Sequence, residues 1–106
     1  MAVYSTDFSF DTRGEFDVVD LTPRVKEIVR GSGVDEGMAL VFAGHATGVL
    51  ILNEYDRALL EDLKGFLRRL LPAEGDYRHP GNAYAHLRSM LFTPSKIGRA
   101  SCRERV

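Results

Sequence analysis

Tryptophan is absent from this 106-residue chain, and cysteine occurs once, as Cys102. A single thiol cannot close an internal disulfide, so the framework that staples small secreted domains is excluded and Cys102 reads as a spare thiol. No sign of charge dominates, with 14 Lys and Arg against 15 Asp and Glu for a net charge of −1. That leaves no field strong enough to gather nucleic acid or an anionic membrane, and no Lys/Arg-rich run occurs outside the last residues. Nucleic acid is therefore not an expected partner. Long apolar runs are missing as well: nothing approaches the roughly 20 residues of a membrane helix. The opening MAVYSTDFSFDTRG lacks the basic and then apolar order of a secretory signal. A soluble, cytoplasmic protein with no membrane partner is expected. The length and an apolar content of 44% fit one domain with a real core.

The last ten residues stand apart. From Ile97 the chain reads IGRASCRERV, a switch to small and basic residues with neither helical nor strand periodicity. The run resembles, codon for codon, the translation of a common sequencing adapter. We read 97–106 as a non-native tail, 1–96 as an incomplete native domain, and the true C-terminal part as missing. A disordered basic tail is the plain alternative. Without this run the chain is mildly acidic.

Within 1–96 the patterning alternates between extended and helical. Tyr4, Thr6, Phe8 and Phe10 share one face of a period-two run over Val3–Phe10, and an extended pattern resumes from Glu15 to Leu21 after a turn at Asp11–Gly14. This predicts an antiparallel hairpin. Thr22 before Pro23 predicts an N-cap, with Val25, Ile28 and Val29 at helical spacing until Gly31-Ser32-Gly33. The short apolar runs Gly37–Gly44 and Thr47–Leu52 suit strands buried on both faces. From Asp56 to Leu71, Leu59, Leu60, Leu63, Phe66, Leu67, Leu70 and Leu71 fall on one helical face, opposite Arg57, Glu61, Asp62, Lys64, Arg68 and Arg69. Pro72–Tyr84 is rich in glycine and proline, and Ala85–Phe92 returns to a compact apolar pattern. The order β-β-α-β-β-α predicts an α+β domain.

Three histidines are present, His45, His79 and His86. Three neutral imidazoles with an open position suit a divalent metal, zinc above all, and a water-activating or Lewis-acid site. Their spacing is unlike the close pairing of HExxH. The plain alternatives are a strand-end imidazole satisfied by carbonyls for His45, a solvated loop residue for His79 and a half-buried helical side chain for His86. Asn53 or Asp56 suits the cap of the following helix, and Glu54 favours its dipole. Arg78 and Arg88 suit a bidentate phosphate clamp or ordinary ion pairs, with no P-loop or GxGxxG beside them. Tyr77 and Tyr84 suit a planar ligand or simple packing.

At HATGVLILNEYD and DYRHPGNAYAHLRSMLFTPSK the sequence resembles the YjbQ-like family, whose members include secondary thiamine-phosphate synthases. The resemblance rests on His45 with Asn53-Glu54, on Arg78-His79, and on Asn82-Ala83-Tyr84-Ala85-His86-Leu87, and extends over nearly all of 1–96. It implies a mixed sheet with two main helices, a homotrimer, and three further strands after Pro94-Ser95. It implies coupling of an aminopyrimidine diphosphate to a thiazole phosphate, releasing pyrophosphate. By the same resemblance His45, His79 and His86 line the site as catalytic residues and hold a divalent metal (Zn or Mg), Arg88 and Arg78 pair with phosphate, and Asn82 orients the ligand. Ala46 before Thr47, and Tyr84, depart from the family's usual polar residues. The rival expectations are a non-catalytic oligomeric module binding an anionic metabolite, and a metal-binding structural protein.

Overall fold

The computed structural model describes residues 3–101. Its longest element is the helix whose seven-residue apolar face is legible in the sequence. In chain order the elements are α1 (Thr22–Gly31), β1 (Glu36–Phe42), α2 (Arg57–Leu70), α3 (Ala83–Ser89) and β2 (Ser95–Ser101). This is an α+β fold of three helices with a two-stranded antiparallel sheet.

Helix α2 begins where its capping chemistry dictates. Asp56 is extended, at φ −117° and ψ 131°, and its Oδ2 accepts the Leu59 N–H at 2.9 Å, so Asp56 and not Asn53 is the cap. Arg68 and Arg69 lie in the last turn, where cations favour the helix dipole. Burial of the apolar face is less complete than its pattern predicts: Leu67 is buried at 3% exposure, while Leu59, Phe66 and Leu70 remain exposed. Helix α1 starts one residue earlier in register than expected. Leu21 occupies the cap position and Thr22 is already helical, because the Asp20 carboxylate accepts the Thr22 N–H at 3.0 Å and takes over the capping. That hydrogen bond holds the Asp20 carboxyl below the usual carboxylate range. Ser32 closes the helix by donating to the Val29 carbonyl at 2.7 Å, and Gly33 follows at φ +78°.

The sheet departs furthest from expectation. Among the described residues neither Val3–Phe10 nor Glu15–Leu21 forms a strand. Gly14 does turn the chain, at φ +71°, and the Arg13 N–H reaches Asp17 Oδ2 at 3.0 Å, but no ladder forms across the turn. Phe8 is held by Arg24, 4.8 Å above its ring. Alternation identifies two faces of a segment, whereas a strand exists only with a partner backbone. The expected strand Thr47–Leu52 contracts for the same reason to one bridge, Leu50 with Thr93.

The sheet formed among the described residues is antiparallel and not mixed, with Glu36 opposite Ser101, Leu40 opposite Ile97 and Phe42 opposite Ser95. Residues 97–101, which lack strand periodicity in the sequence, lie within β2. Pairing with β1 satisfies their backbone regardless of side-chain alternation. Cys102 and residues 103–106 lie outside the described residues. Nor is β1 buried on both faces: Met38, Leu40 and Phe42 are 79%, 65% and 67% exposed, with Ile97 beside Leu40 on the same face. The radius of gyration is 16.3 Å and the extents are 50 × 28 × 21 Å, against about 13 Å for a compact domain of 100 residues.

Candidate functional site

Two chain segments meet to form a cleft of about 390 Å³, lined by Tyr77, Arg78, His79, Ala83, His86, Leu87 and Met90. The first three come from the loop after α2 and the rest from α3 and its C-terminal end. On α3 the spacing 83, 86, 87, 90 is one helical face, so the cleft wall follows directly from the helix period.

Each segment is held by local chemistry. Tyr77 bends the loop back on itself: its hydroxyl donates to the Pro72 carbonyl at 2.7 Å. Gly75 lies beneath the ring, where a Cβ would stand 2.7 to 2.9 Å from three Tyr77 atoms, so a side chain there would push the tyrosine off its seat. Gly81, at φ +81°, turns the chain into α3. The Asn82 carbonyl then accepts from Ala85 and His86 N–H at 3.0 and 3.3 Å. Its side chain makes no capping bond.

The structure brings His79 and His86 together, edge to face, with ring centroids 5.4 Å apart at 64°. Arg78 lines the same cleft, so an imidazole pair and a guanidinium share one concave surface. Such a set suits an anionic ligand and proton transfer to or from it.

His45 is not among the lining residues. It sits on an exposed loop whose ends are both fastened to one stretch of chain, Ala43 N–H to the Pro94 carbonyl at 2.7 Å and Leu50 N–H to the Thr93 carbonyl at 3.0 Å. Its Nδ1 accepts the Thr47 N–H at 3.0 Å, which places the proton of the neutral ring on Nε2. Gly48 permits this turn, since a Cβ there would meet the His45 Cβ at 3.0 Å. Among the described residues no three His, Cys, Asp or Glu side chains stand close enough together to hold a metal ion. The imidazole pair with His45 apart does not supply the three protein ligands of a zinc site.

Arg88 is buried at 6% exposure and does not line the cleft. Its Nε donates to the Leu71 carbonyl at 3.0 Å and its Nη1 to Glu15 Oε1 at 3.3 Å. The Tyr84 ring lies 4.9 Å from the guanidinium carbon and the Phe16 ring 5.8 Å. Glu15 also accepts from Arg68 Nε at 3.1 Å. The hydrogen bond from Arg68 is the largest cause holding its carboxyl below the usual carboxylate range; burial opposes it, and the hydrogen bond from Arg88 and the two guanidinium charges add to the lowering. The sequence does not show what Glu15 and Phe16 bind, because their partners, Lys64, Arg68 and Arg88, are far along the chain. Met90 was visible only as part of an apolar pattern, and Leu87 as part of that pattern and of the Asn82–Leu87 motif, though their helical spacing from His86 marks the cleft face.

A family model described as UPF0047 protein YjbQ-like matches residues 6–97. The chain is 30% identical over 99 residues to a UPF0047 protein of Methanothermobacter thermautotrophicus, covering 91% of this chain and 69% of that protein. It is 32% identical over 94 residues to a UPF0047 protein of Archaeoglobus fulgidus, covering 86% and 72%. Among solved structures it resembles a YbjQ-like protein of unknown function from Sulfolobus solfataricus, with a TM-score of 0.80, 28% identity, and coverage of 87% of this chain and 69% of that one. It also resembles an uncharacterized conserved protein of the yjbq/upf0047 family from Clostridium acetobutylicum, with a TM-score of 0.71, 36% identity, and coverage of 78% and 66%. The sequence match and the shared fold agree: the chain belongs to the YjbQ-like UPF0047 family.

Proposed function

We propose that the cleft between Tyr77 and Met90 binds a phosphorylated small molecule, and that the intact protein couples an aminopyrimidine diphosphate to a thiazole phosphate there. The observation that carries this reading is the His79–His86 pair, 5.4 Å between centroids, in one cleft with Arg78. The cleft's volume of about 390 Å³ lies within the range of small-molecule sites, roughly 300 to 1,000 Å³. The reaction itself is what the family resemblance implies.

In this reading Arg78 neutralises phosphate charge through its planar fork of donors. The thiazole nitrogen supplies the electron pair of the new C–N bond, the methylene C–O bond breaks, and its pair leaves with pyrophosphate. An imidazole N–H of His79 or His86 donates a hydrogen bond to the departing oxygen, where charge develops. Asn82 is not among the lining residues but adjoins Ala83 at the start of α3, and its part in orienting the ligand is what the resemblance implies. Tyr77 and Leu87 supply apolar walls. The working form is taken to be a cytoplasmic homotrimer, as the resemblance implies.

Rescue of a thiamine auxotroph by the full-length gene tests the proposal. Growth is expected with the wild type and lost in the His79→Ala, His86→Ala double variant at equal protein level. If the wild type folds and accumulates normally without restoring growth, the synthase reading fails and a non-catalytic module binding an anionic metabolite takes its place.

A further inference from the structure

Arg88 stands where the loop that bears half of the cleft is closed. Leu71 is the last residue before that loop, and α3 is the element that follows it. The Arg88 Nε bond to the Leu71 carbonyl therefore joins the two ends of an excursion that carries Tyr77, Arg78 and His79 outward and back. A second bond, Nη1 to Glu15 Oε1, ties the same guanidinium to the N-terminal segment, and Glu15 continues to Arg68 on α2.

Helix α3 has seven residues, about half of what an isolated helix needs to persist in water. Its place must come from tertiary ties. The cleft face carries Ala83, His86, Leu87 and Met90; Arg88 lies on another face together with Tyr84, whose ring it covers. The side chain is thus buried behind the helix that presents His86.

The geometry points to Arg88 as a positioning residue that sets His86 against His79 by closing the Leu71–Arg88 loop, with Glu15 as its counter-ion. This rests on the reading of the cleft as the ligand site. It differs from the phosphate-binding role that the family resemblance implies for Arg88. The buried Nη2, which has no partner among the described residues, is the atom through which a direct ligand contact would run.

The experiment uses the full chain, with pyrophosphate as the probe, and follows the imidazole protons of His79 and His86 by NMR. In the wild type a ring-to-ring cross-peak between the two histidines is expected, and pyrophosphate shifts both sets of resonances. Arg88→Lys keeps the charge but cannot span the Leu71 carbonyl and Glu15 with one planar fork. It is expected to lose or weaken the cross-peak in the ligand-free protein while helical circular dichroism is retained. Glu15→Gln keeps an acceptor oxygen while removing the charge, and serves as the milder variant should Arg88→Lys not fold; it too should weaken the cross-peak. Arg78→Ala should leave the cross-peak intact and abolish the pyrophosphate shifts. An unchanged cross-peak in Arg88→Lys, or in Glu15→Gln where only that variant folds, overturns the positioning role. If pyrophosphate moves neither histidine in the wild type, the cleft reading fails on its own, and the cross-peak still decides the role of Arg88.

Discussion

One carboxylate oxygen, Glu15 Oε1, accepts from Arg68 at 3.1 Å and from Arg88 at 3.3 Å, so a residue in an irregular segment joins α2 to α3. Because these bonds favour the ionised form, the folded-state pKa of Glu15 lies below its unfolded value. The resulting stabilisation is fully present above the ordinary carboxylate range and is lost as pH falls through the depressed folded value. Glu15→Gln should therefore be less stable than the wild type near neutrality, with the difference shrinking at acid pH. Chemical denaturation of both proteins across that range checks this, and a pH-independent gap would count against it. At this scale the sequence is informative where chemistry is local: Asp56 follows from its place before an apolar helix, and Gly81 from the turn it must make. It is silent on Glu15, whose partners are reached only by folding.

Helix α2 is the element whose periodicity, cap and charged last turn agree with one another, and it is observed within a residue of its expected bounds at both ends. Replacing its cap, Asp56→Ala, leaves the Leu59 N–H without its side-chain acceptor and should cost about 1 kcal/mol. Thermal or denaturant melting of the single variant measures that loss, and an unchanged midpoint would show that water serves the Leu59 N–H equally well. Helix α3 illustrates the opposite situation. Its seven residues have too little intrinsic stability to announce their bounds, yet their spacing already aligns His86 with Leu87 and Met90. The extended segments fail for a further reason. The alternation in Val3–Phe10 is genuine, but a strand is a relation between two backbones, and β1 finds its partner at residues 95–101 instead of at its neighbour Thr47–Leu52.

On the scale of the molecule, the exposed sheet face formed by Met38, Leu40, Phe42 and Ile97 and the extended shape belong together. A two-stranded ribbon is marginal in water without something packed on its apolar side, and an uncovered patch of this kind promotes association. The chain should bind an apolar fluorescent dye and lose solubility with concentration. Leu40→Lys, which places a charge at the centre of the patch, should reduce both effects. Dye binding that does not change on that substitution would place the exposed surface elsewhere. The sequence by itself determined α2 with its Asp56 cap and the approximate places of α1 and α3, because these depend on neighbours within a turn or two along the chain. It also singled out Arg78, His79, Asn82, His86 and Arg88 as a chemically dense stretch. Only the tertiary structure decided that two of the three histidines share a cleft while His45 is held apart, that Arg88 faces inward onto Glu15 and the Leu71 carbonyl, and that β1 pairs with residues 95–101. Those outcomes depend on which distant groups compete successfully for the same hydrogen bonds, and no local periodicity encodes that competition.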